Sequence, residues 1–520
     1  MEVAPAVMVV NGGRQLAAQV CVVCRARKKK CNKVLPSCST CSRKGLNCQY
    51  PELSSRSPIR VHSRQTSRSR PLPIERRQRN SDALELSSDV VLSGIIPLEP
   101  AASEASIYAE ANRLIRSTSR FLDDVSASYF QSIHRYLPFI SRVRFQSDLV
   151  TVGAVPSAGF SVLLLSMCLA TMRTKPDAPA VPLASGTRKA DRKALHLATR
   201  SLYSQVQTLF PPSLSLIQAG LLLSLYEYGY GRPDDALASI AGCARMAYAA
   251  RIHRSSSYIP RSPKPTDDSS ILTETDIRLE VEEAANTWWG IIICERTFLC
   301  EATTSDQPPI AMIPSGHPRL PTEPEILESS NFDYLTSSSG TALTDLGAVD
   351  VRGFGRAAQT AWLVDQVLNS YNIANFNARL SRLVVLDESI QAFLSSLMQQ
   401  CQGEGGVFCE AIALTIRLLY NLHWHILDTE AEGENADLLT ERLKHSRVAL
   451  QVITNIVLDI VGTHDTPAPC LFQSVSSTYS YMIRAALNHV HSRTQWKGDN
   501  ALQDIEGRLR VSLDRFNQYN

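Results

Sequence analysis

The sequence predicts a mostly α-helical protein in three parts: a small N-terminal module held by cysteines, a flexible basic linker, and a large all-α domain. Three observations carry this. Six of the 13 cysteines fall between Cys21 and Cys48. The first 82 residues hold 17 Lys and Arg against 4 Asp and Glu, while the remaining chain is net acidic by 10 charges. From about Tyr108 onward, apolar residues recur at helical spacing and strand-like alternation is nearly absent. The 520 residues exceed what one core normally organises, so more than one unit is expected.

Residues 1–19 read as a loose, disordered leader. Glu2 and the short apolar run before Asn11 do not make a secretory signal. Residues 20–51 contain Cys21, Cys24, Cys31, Cys38, Cys41 and Cys48, spaced C-x2-C-x6-C-x6-C-x2-C-x6-C. Structural zinc takes four thiolates in a tetrahedron, at roughly 2.3 Å from metal to sulfur. Six cysteines cannot make two separate four-sulfur sites, but they can if two sulfurs bridge both metals. The two halves repeat the same C-x2-C-x6-C spacing, which suits two Zn(2+) related by a pseudo-twofold. Two Zn(2+) and six thiolates sum to −2, and Arg25, Arg27, Lys28, Lys29, Lys30, Lys33, Arg43 and Lys44 supply counter-charge. So short a segment has almost no core, so metal binding must supply its folding energy, on the order of 10–16 kcal/mol per structural zinc.

This block, VCVVCRARKKKCNKVLPSCSTCSRKGLNCQYP, resembles the fungal binuclear zinc cluster family of transcription factors. The resemblance implies that Cys21 and Cys38 bridge the metals. Cys24 and Cys31 then complete one site, and Cys41 and Cys48 the other. Pro36 matches the family's proline between the halves. Asn32 stands where the family usually has Asp, and it is not a ligand position. The resemblance places the first short helix in the major groove of double-stranded DNA, with Arg27 and Lys28 at the CGG triplet. Arg or Lys donating to guanine is the commonest specific base contact. Arg25, Lys30, Lys33, Arg43 and Lys44 are expected at phosphates or against the cluster's charge, giving affinity rather than sequence choice.

Residues 52–106 open with SSRSPIRVHSRQTSRSRPLPIERRQR, too polar and proline-rich to bury a core, and read as a flexible linker. RARKKK (25–30) and RRQR (76–79) fit nuclear import, and the expected location is the nucleus. Residues 83–100 are a weak acidic-hydrophobic stretch that reads first as linker.

Residues 107–495 are expected to form one helical domain, followed by a helical tail at 496–520. A heptad reading from Ile107 to Val125 is short and has two poor core positions, so it reads as the domain's first helix rather than a zipper. Leu214, Ile217, Leu221, Leu225 and Tyr228 line one helix face. Pro233 with Asp234 and Asp235 suits the start of the next helix. Later helices are expected near 277–300, 355–371, 386–399, 408–428, 436–461 and 471–491. Three segments, YFQSIHRYLPFISRVRF (129–145), LIQAGLLLSLYEYGYGRPDDALASIAGCARMAY (216–248) and EEAANTWWGIIICERTFLCEATTSDQPPIAM (282–312), resemble the regulatory domain that follows such clusters. That resemblance implies an all-helical unit modulating the DNA-binding head.

Chemistry-bearing motifs in this region read as structural. Trp288 and Trp289 lie in an apolar helical run and read as core. His423/His425 and His489/His491 are spaced i, i+2, wrong for shared metal ligation on a helix, and read as surface or half-buried residues. Gly353 to Ala358 fits G-x-G-x-x-A but lacks a strand–helix–strand setting, so it reads as a turn opening a helix. No catalytic motif emerges and the chain is read as a non-enzyme. The scattered cysteines read as buried hydrophobes in a reducing compartment. No apolar stretch such as 159–172 is long enough to span a bilayer, so a soluble, intracellular protein without a membrane partner is expected. The function implied is sequence-specific regulation of RNA polymerase II genes at CGG-containing sites. A pathway-specific activator of a fungal secondary-metabolite gene cluster is the leading form. A regulator of primary metabolism and a metabolite-sensing repressor or co-regulator remain open, as do a homodimer, contacts with the transcription machinery and a small-molecule effector.

Overall fold

The computed structural model describes residues 7–10, 14–17, 19–27, 29–50, 103–150, 155–172, 192–254, 274–302, 307–314, 318–329, 340–401, 406–429, 436–464, 475–494 and 500–519. The chain divides into two compact units, Met1–Leu84 and Glu85–Asn520.

In the first unit, β1 (Val7–Val10) pairs antiparallel with β2 (Arg14–Ala17), Val7 opposite Ala17 and Val10 opposite Arg14. This corrects the expectation of a disordered leader. The run Val-Met-Val-Val has strand propensity. Two five-residue helices follow, α1 (Val22–Ala26) and α2 (Ser39–Arg43). Both are too short to be stable in water alone. The basic stretch RRQR and the acidic-hydrophobic residues 83–100 lie outside the described residues.

The second unit is helical. Its first helix, α3 (Glu104–Ser117), starts at the N-cap Ser103 and buries Ile107, Ala111 and Ile115. That apolar face is spent inside the domain, as the reading against a zipper requires. Next come α4 (Leu122–Gln131), a 3-10 turn at Ile133–Arg135, α5 (Arg142–Val150), α6 (Ala158–Ala170), α7 (Arg192–Leu209), α8 (Leu214–Gly229), α9 (Pro233–Ala249) and α10 (Glu274–Leu299). After the single turn α11 (Pro324–Leu327) the chain forms α12 (Gly353–Tyr371), α13 (Phe376–Gln400), α14 (Cys409–Leu427), α15 (Ala436–His464), α16 (Thr478–Thr494) and α17 (Asn500–Tyr519).

Helices α6 and α8 form the centre. Both are apolar nearly all round, so they must be enclosed on every side. α6 is buried from Ala158 to Leu169, and α8 from Leu216 to Ser224. They pack on each other, with α3 and α7 against α6 and α9 against α8. At Gly220 any side chain would collide with the Tyr203 hydroxyl and the Cys243 sulfur, so only glycine permits the close approach.

The three segments singled out by resemblance meet in one buried network. Gln218 on α8 donates to the Phe139 carbonyl at 3.1 Å and to Glu283 on α10 at 3.0 Å. Glu283 also accepts from the Ser141 backbone and pairs with Arg144. Thr287 donates to Phe139 O, and Asn286 donates to Pro138 O and Thr322 O. A short non-helical stretch is thereby fixed inside a helical core with its backbone groups satisfied.

The Gly353 to Ala358 run opens α12. A side chain at Gly353 would strike the Val407 carbonyl, and the Gly355 N–H donates to Glu323 at 2.8 Å. The glycines therefore serve close packing at a helix start. The last helix is part of the body rather than a tail beyond 495, since Leu509 and Phe516 are buried in the same core. Contrary to the expectation of no membrane-length stretch, α15 is long and apolar enough over Leu439–Thr463 to cross a membrane by composition. Here its Leu450, Ile453, Val457 and Val461 are buried, and it packs on α14, α16 and α17.

Candidate metal centre and nucleic-acid interface

Each half of the N-terminal module is built the same way, offset by 17 residues. Cys21 caps α1 and its sulfur accepts the Cys24 N–H at 3.4 Å; Cys38 caps α2 and accepts the Cys41 N–H at 3.4 Å. The Lys29 N–H reaches Cys24 O at 3.0 Å, and the Leu46 N–H reaches Cys41 O at 3.1 Å. The residue after the third cysteine of each half then closes onto the other half. Gln49 O accepts the Val22 N–H at 2.9 Å, and Asn32 Oδ1 accepts the Ser39 N–H at 3.0 Å. Asn32 thus has a structural role beyond being a non-ligand, and the repeat of the cysteine spacing is the sequence signal for it. The Tyr50 hydroxyl also donates to Val34 O at 2.8 Å, across the loop holding the cis Leu35–Pro36 peptide.

These contacts bring all six sulfurs together. Two four-cysteine groups form: Cys21, Cys24, Cys31 and Cys38, and Cys21, Cys38, Cys41 and Cys48, each with its sulfurs within 4.8 Å of one another. Cys21 and Cys38 belong to both. Zinc at roughly 2.3 Å from each tetrahedral ligand sets sulfurs about 3.8 Å apart. The Cys21 and Cys38 sulfurs are 3.8 Å apart, Cys24 to Cys38 is 3.7 Å, and Cys31 to Cys21 is 3.9 Å. The donor set therefore fits two zinc ions sharing an edge, in soft thiolate ligands suited to that metal.

The electrostatics agree. Burial pushes the thiols of Cys21 and Cys24 up, and that of Cys41 to about 12. Six neighbouring thiols cannot all ionise in so closed a space without a cation between them. Burial also opposes ionisation of Cys48, but the Cys38 N–H, 3.3 Å from its sulfur, and other neighbouring donors bring it down to about 7. Among the described residues, Val23, Leu46 and Tyr50 are the apolar side chains other than cysteine packed on the four buried sulfurs. Bound zinc would supply the core that so few apolar side chains do not.

The basic residues surround this centre on the outside. Arg25 lies on the last turn of α1 and Arg27 at its C-cap, and both are exposed, as are Lys29 and Lys30. Arg43 and Lys44 occupy the matching end of α2, also exposed. Lys33 is half-buried in the left-handed backbone region, φ 59°. Lys28 lies outside the described residues. Apart from Lys33, the described cations face solvent, an arrangement that can meet a polyanion.

In the second unit, Trp288 and Trp289 are buried in the core. The histidine pairs split. His425 stacks on Tyr371 and His491 lies 2.9 Å from Glu506. His423 and His489 are buried, deeper than expected, because each sits on the inward face of its helix. His423 has catalytic connectivity, with Nδ1 3.2 Å from Ser446 Oγ and Nε2 3.3 Å from Asp387. Ser446 and His423 are both fully enclosed, so a substrate carbonyl has no approach to that hydroxyl. The arrangement ties α13, α14 and α15 together.

An edge-sharing six-thiolate pair of metal sites with an exposed basic helix, in a chain with a large helical body, defines a zinc-cluster DNA-binding regulator. Comparison with known families agrees. Residues 19–57 match the fungal Zn(2)-Cys(6) binuclear cluster domain, and residues 127–401 match the fungal specific transcription factor domain. The chain belongs to this family of fungal transcription factors, whose cluster domain binds two zinc ions. It is also similar to a transcription factor of Botryotinia fuckeliana (strain B05.10), BOA15, at 29% identity over 138 residues, 26% of this chain and 70% of the relative. The helical body continues past the matched region to α17.

Proposed function

We propose that this protein is a nuclear, sequence-specific regulator of RNA polymerase II genes that reads CGG-type triplets through α1. The observation that carries this is the pair of four-sulfur groups sharing Cys21 and Cys38 beneath an exposed basic surface. In this reading the six cysteines hold two zinc ions and Cys21 and Cys38 bridge them. The metals fix α1, and Arg27 with Lys28 donates to guanine O6 and N7. Arg25, Lys30, Lys33, Arg43 and Lys44 bind phosphate, which makes affinity fall steeply with salt.

The burial of Ile107, Ala111 and Ile115 supports a protein without a zipper at the start of its helical body. By analogy, a zinc cluster followed by a helical body whose first described helix is buried is similar to pathway-specific activators of fungal secondary-metabolite gene clusters, and this is the biological role proposed. Homodimer formation, an effector, and contacts with the transcription machinery belong to the same reading. Genome-wide mapping of bound sites tests it. Enriched CGG triplets upstream of a co-located biosynthetic gene set are expected. Enrichment of sites lacking the triplet would refute the recognition, and sites at unrelated housekeeping promoters would refute the pathway role.

A further inference from the structure

The second unit contains a cavity of about 640 Å³ between the end of α9, the turn after it, α10 and residues 312–314 and 318–322. Three rings form one corner. Tyr248 lies edge-on to Trp288 at 5.1 Å and to His253 at 4.7 Å, and His253 lies edge-on to Trp288 at 5.9 Å. The corner is rigidly held, because the Tyr248 hydroxyl donates to Ile310 O at 3.0 Å and accepts the Met312 N–H at 3.1 Å. Met312 itself is 63% exposed at the cavity, an apolar side chain left in water. The lining mixes aromatic and apolar side chains with charged ones, and its volume falls in the range of small-molecule sites.

Among the described residues, one buried donor in the aromatic corner lacks a partner. Trp288 is 3% exposed and its indole N–H meets no acceptor among the described residues. A buried donor left unsatisfied is costly and needs an explanation, which a ligand acceptor supplies. The charged lining is uneven. Arg254 and Arg319 face the cavity against the single carboxylate of Glu282, which already accepts from Thr322 Oγ1 at 2.6 Å and lies 3.7 Å from Arg319. Among the described lining residues, one guanidinium charge is left in excess.

We propose that this cavity binds a planar aromatic or conjugated small molecule carrying one carboxylate or equivalent anionic group. The ring stacks in the Tyr248–His253–Trp288 corner and the anion lies toward Arg254 and Arg319. Edge-to-face rings favour another aromatic over a saturated ring of the same size. The proposal deepens the effector part of the proposed function by naming a site and a ligand class, and it does not depend on CGG recognition.

The test is calorimetry on the full-length zinc-loaded protein with three probes: 2-naphthoate, 2-naphthylmethanol and cyclohexanecarboxylate. 2-Naphthoate should bind saturably at one site, with Kd on the order of 0.1 mM or tighter. 2-Naphthylmethanol should bind about fivefold more weakly and cyclohexanecarboxylate about tenfold more weakly. Arg254→Gln, on an exposed residue, should weaken 2-naphthoate about fivefold and leave 2-naphthylmethanol unchanged. Trp288→Phe should weaken both aromatic probes about three- to tenfold; if circular dichroism shows that it does not fold, the Arg254→Gln comparison decides alone. Absence of saturable 2-naphthoate binding, equal binding of cyclohexanecarboxylate, or an Arg254→Gln protein indistinguishable from wild type would overturn the proposal. Zinc content and CGG-duplex affinity measured on the same samples report the cluster separately.

Discussion

Replacing Cys38 with alanine should unload both metals, whereas replacing Cys48 should unload one. Cys38 is common to both four-sulfur groups and Cys48 belongs to one. With Cys38→Ala each zinc keeps three sulfurs, and the 3.8 Å Cys21–Cys38 edge that joins the sites is gone. With Cys48→Ala, the group of Cys21, Cys24, Cys31 and Cys38 is complete. A structural zinc contributes on the order of 10–16 kcal/mol to folding. Losing about 5 kcal/mol of that at each site lowers the loaded population more than about a thousandfold. Cys38→Ala should therefore retain well under one zinc per chain, and Cys48→Ala about one, measured by elemental analysis after dialysis against a weak chelator. DNA binding in a gel-shift titration should be lost for Cys38→Ala at every concentration that saturates wild type. The same zinc content in both variants would refute the shared-edge arrangement, and wild-type DNA binding by Cys38→Ala would refute the cluster's role altogether.

Three further outcomes are expected. Arg27→Ala should lower affinity for a CGG duplex about 5- to 150-fold while sparing a scrambled duplex, whereas Lys30→Ala should weaken both equally and reduce the salt slope by about one; equal effects of Arg27→Ala on both duplexes would remove its base-reading role. Gly353→Ala forces a methyl group into the Val407 carbonyl and should destabilise the helical unit by about 1–3 kcal/mol, read as a lower denaturant midpoint at unchanged slope. Burial, with Arg493 nearby, lowers His489 to about 4 from an ordinary value of 6.5. The unfolded chain then binds a proton that the folded one refuses, so stability is full above about pH 6.5 and is lost as pH falls toward 4, by roughly 2–3 kcal/mol. His489→Asn should flatten the Tm-against-pH curve in that window, and an unchanged curve would show that His489 does not set it.

The cluster is legible in the sequence because its chemistry is local: six soft ligands at fixed spacing leave few ways to satisfy zinc. The same locality makes α8 and α9 readable, one by its 3- and 4-residue periodicity and the other by Pro233 with two aspartates. α6 has no such periodicity because it is apolar on every side, and only its length and enclosure by α3, α7 and α8 identify it as a central helix. The leader hairpin escapes a sequence reading because four-residue strands leave little alternation to detect. The burial of His423 and His489 escapes it too, because helical phase relative to the core depends on which neighbours pack there. The aromatic cavity is the least legible feature. Tyr248, Trp288 and Met312 come from three separate stretches, and nothing local to any of them signals that they meet.

The 17-residue offset in the cluster separates scaffold from decoration. The two halves correspond sulfur for sulfur and cap for cap, yet their charges do not. Arg27 corresponds to Lys44, and Ala26 to Arg43, so each C-cap region keeps a cation. Elsewhere the first half has Arg25, Lys28, Lys29 and Lys30 where the second has Ser42, Gly45, Leu46 and Asn47. A symmetric frame with asymmetric charge presents one face better suited than the other to a phosphate backbone, so its orientation on a duplex is written in side chains alone. Moving the basic run from α1 onto α2 would ask the same frame to approach DNA turned half a revolution about its own axis.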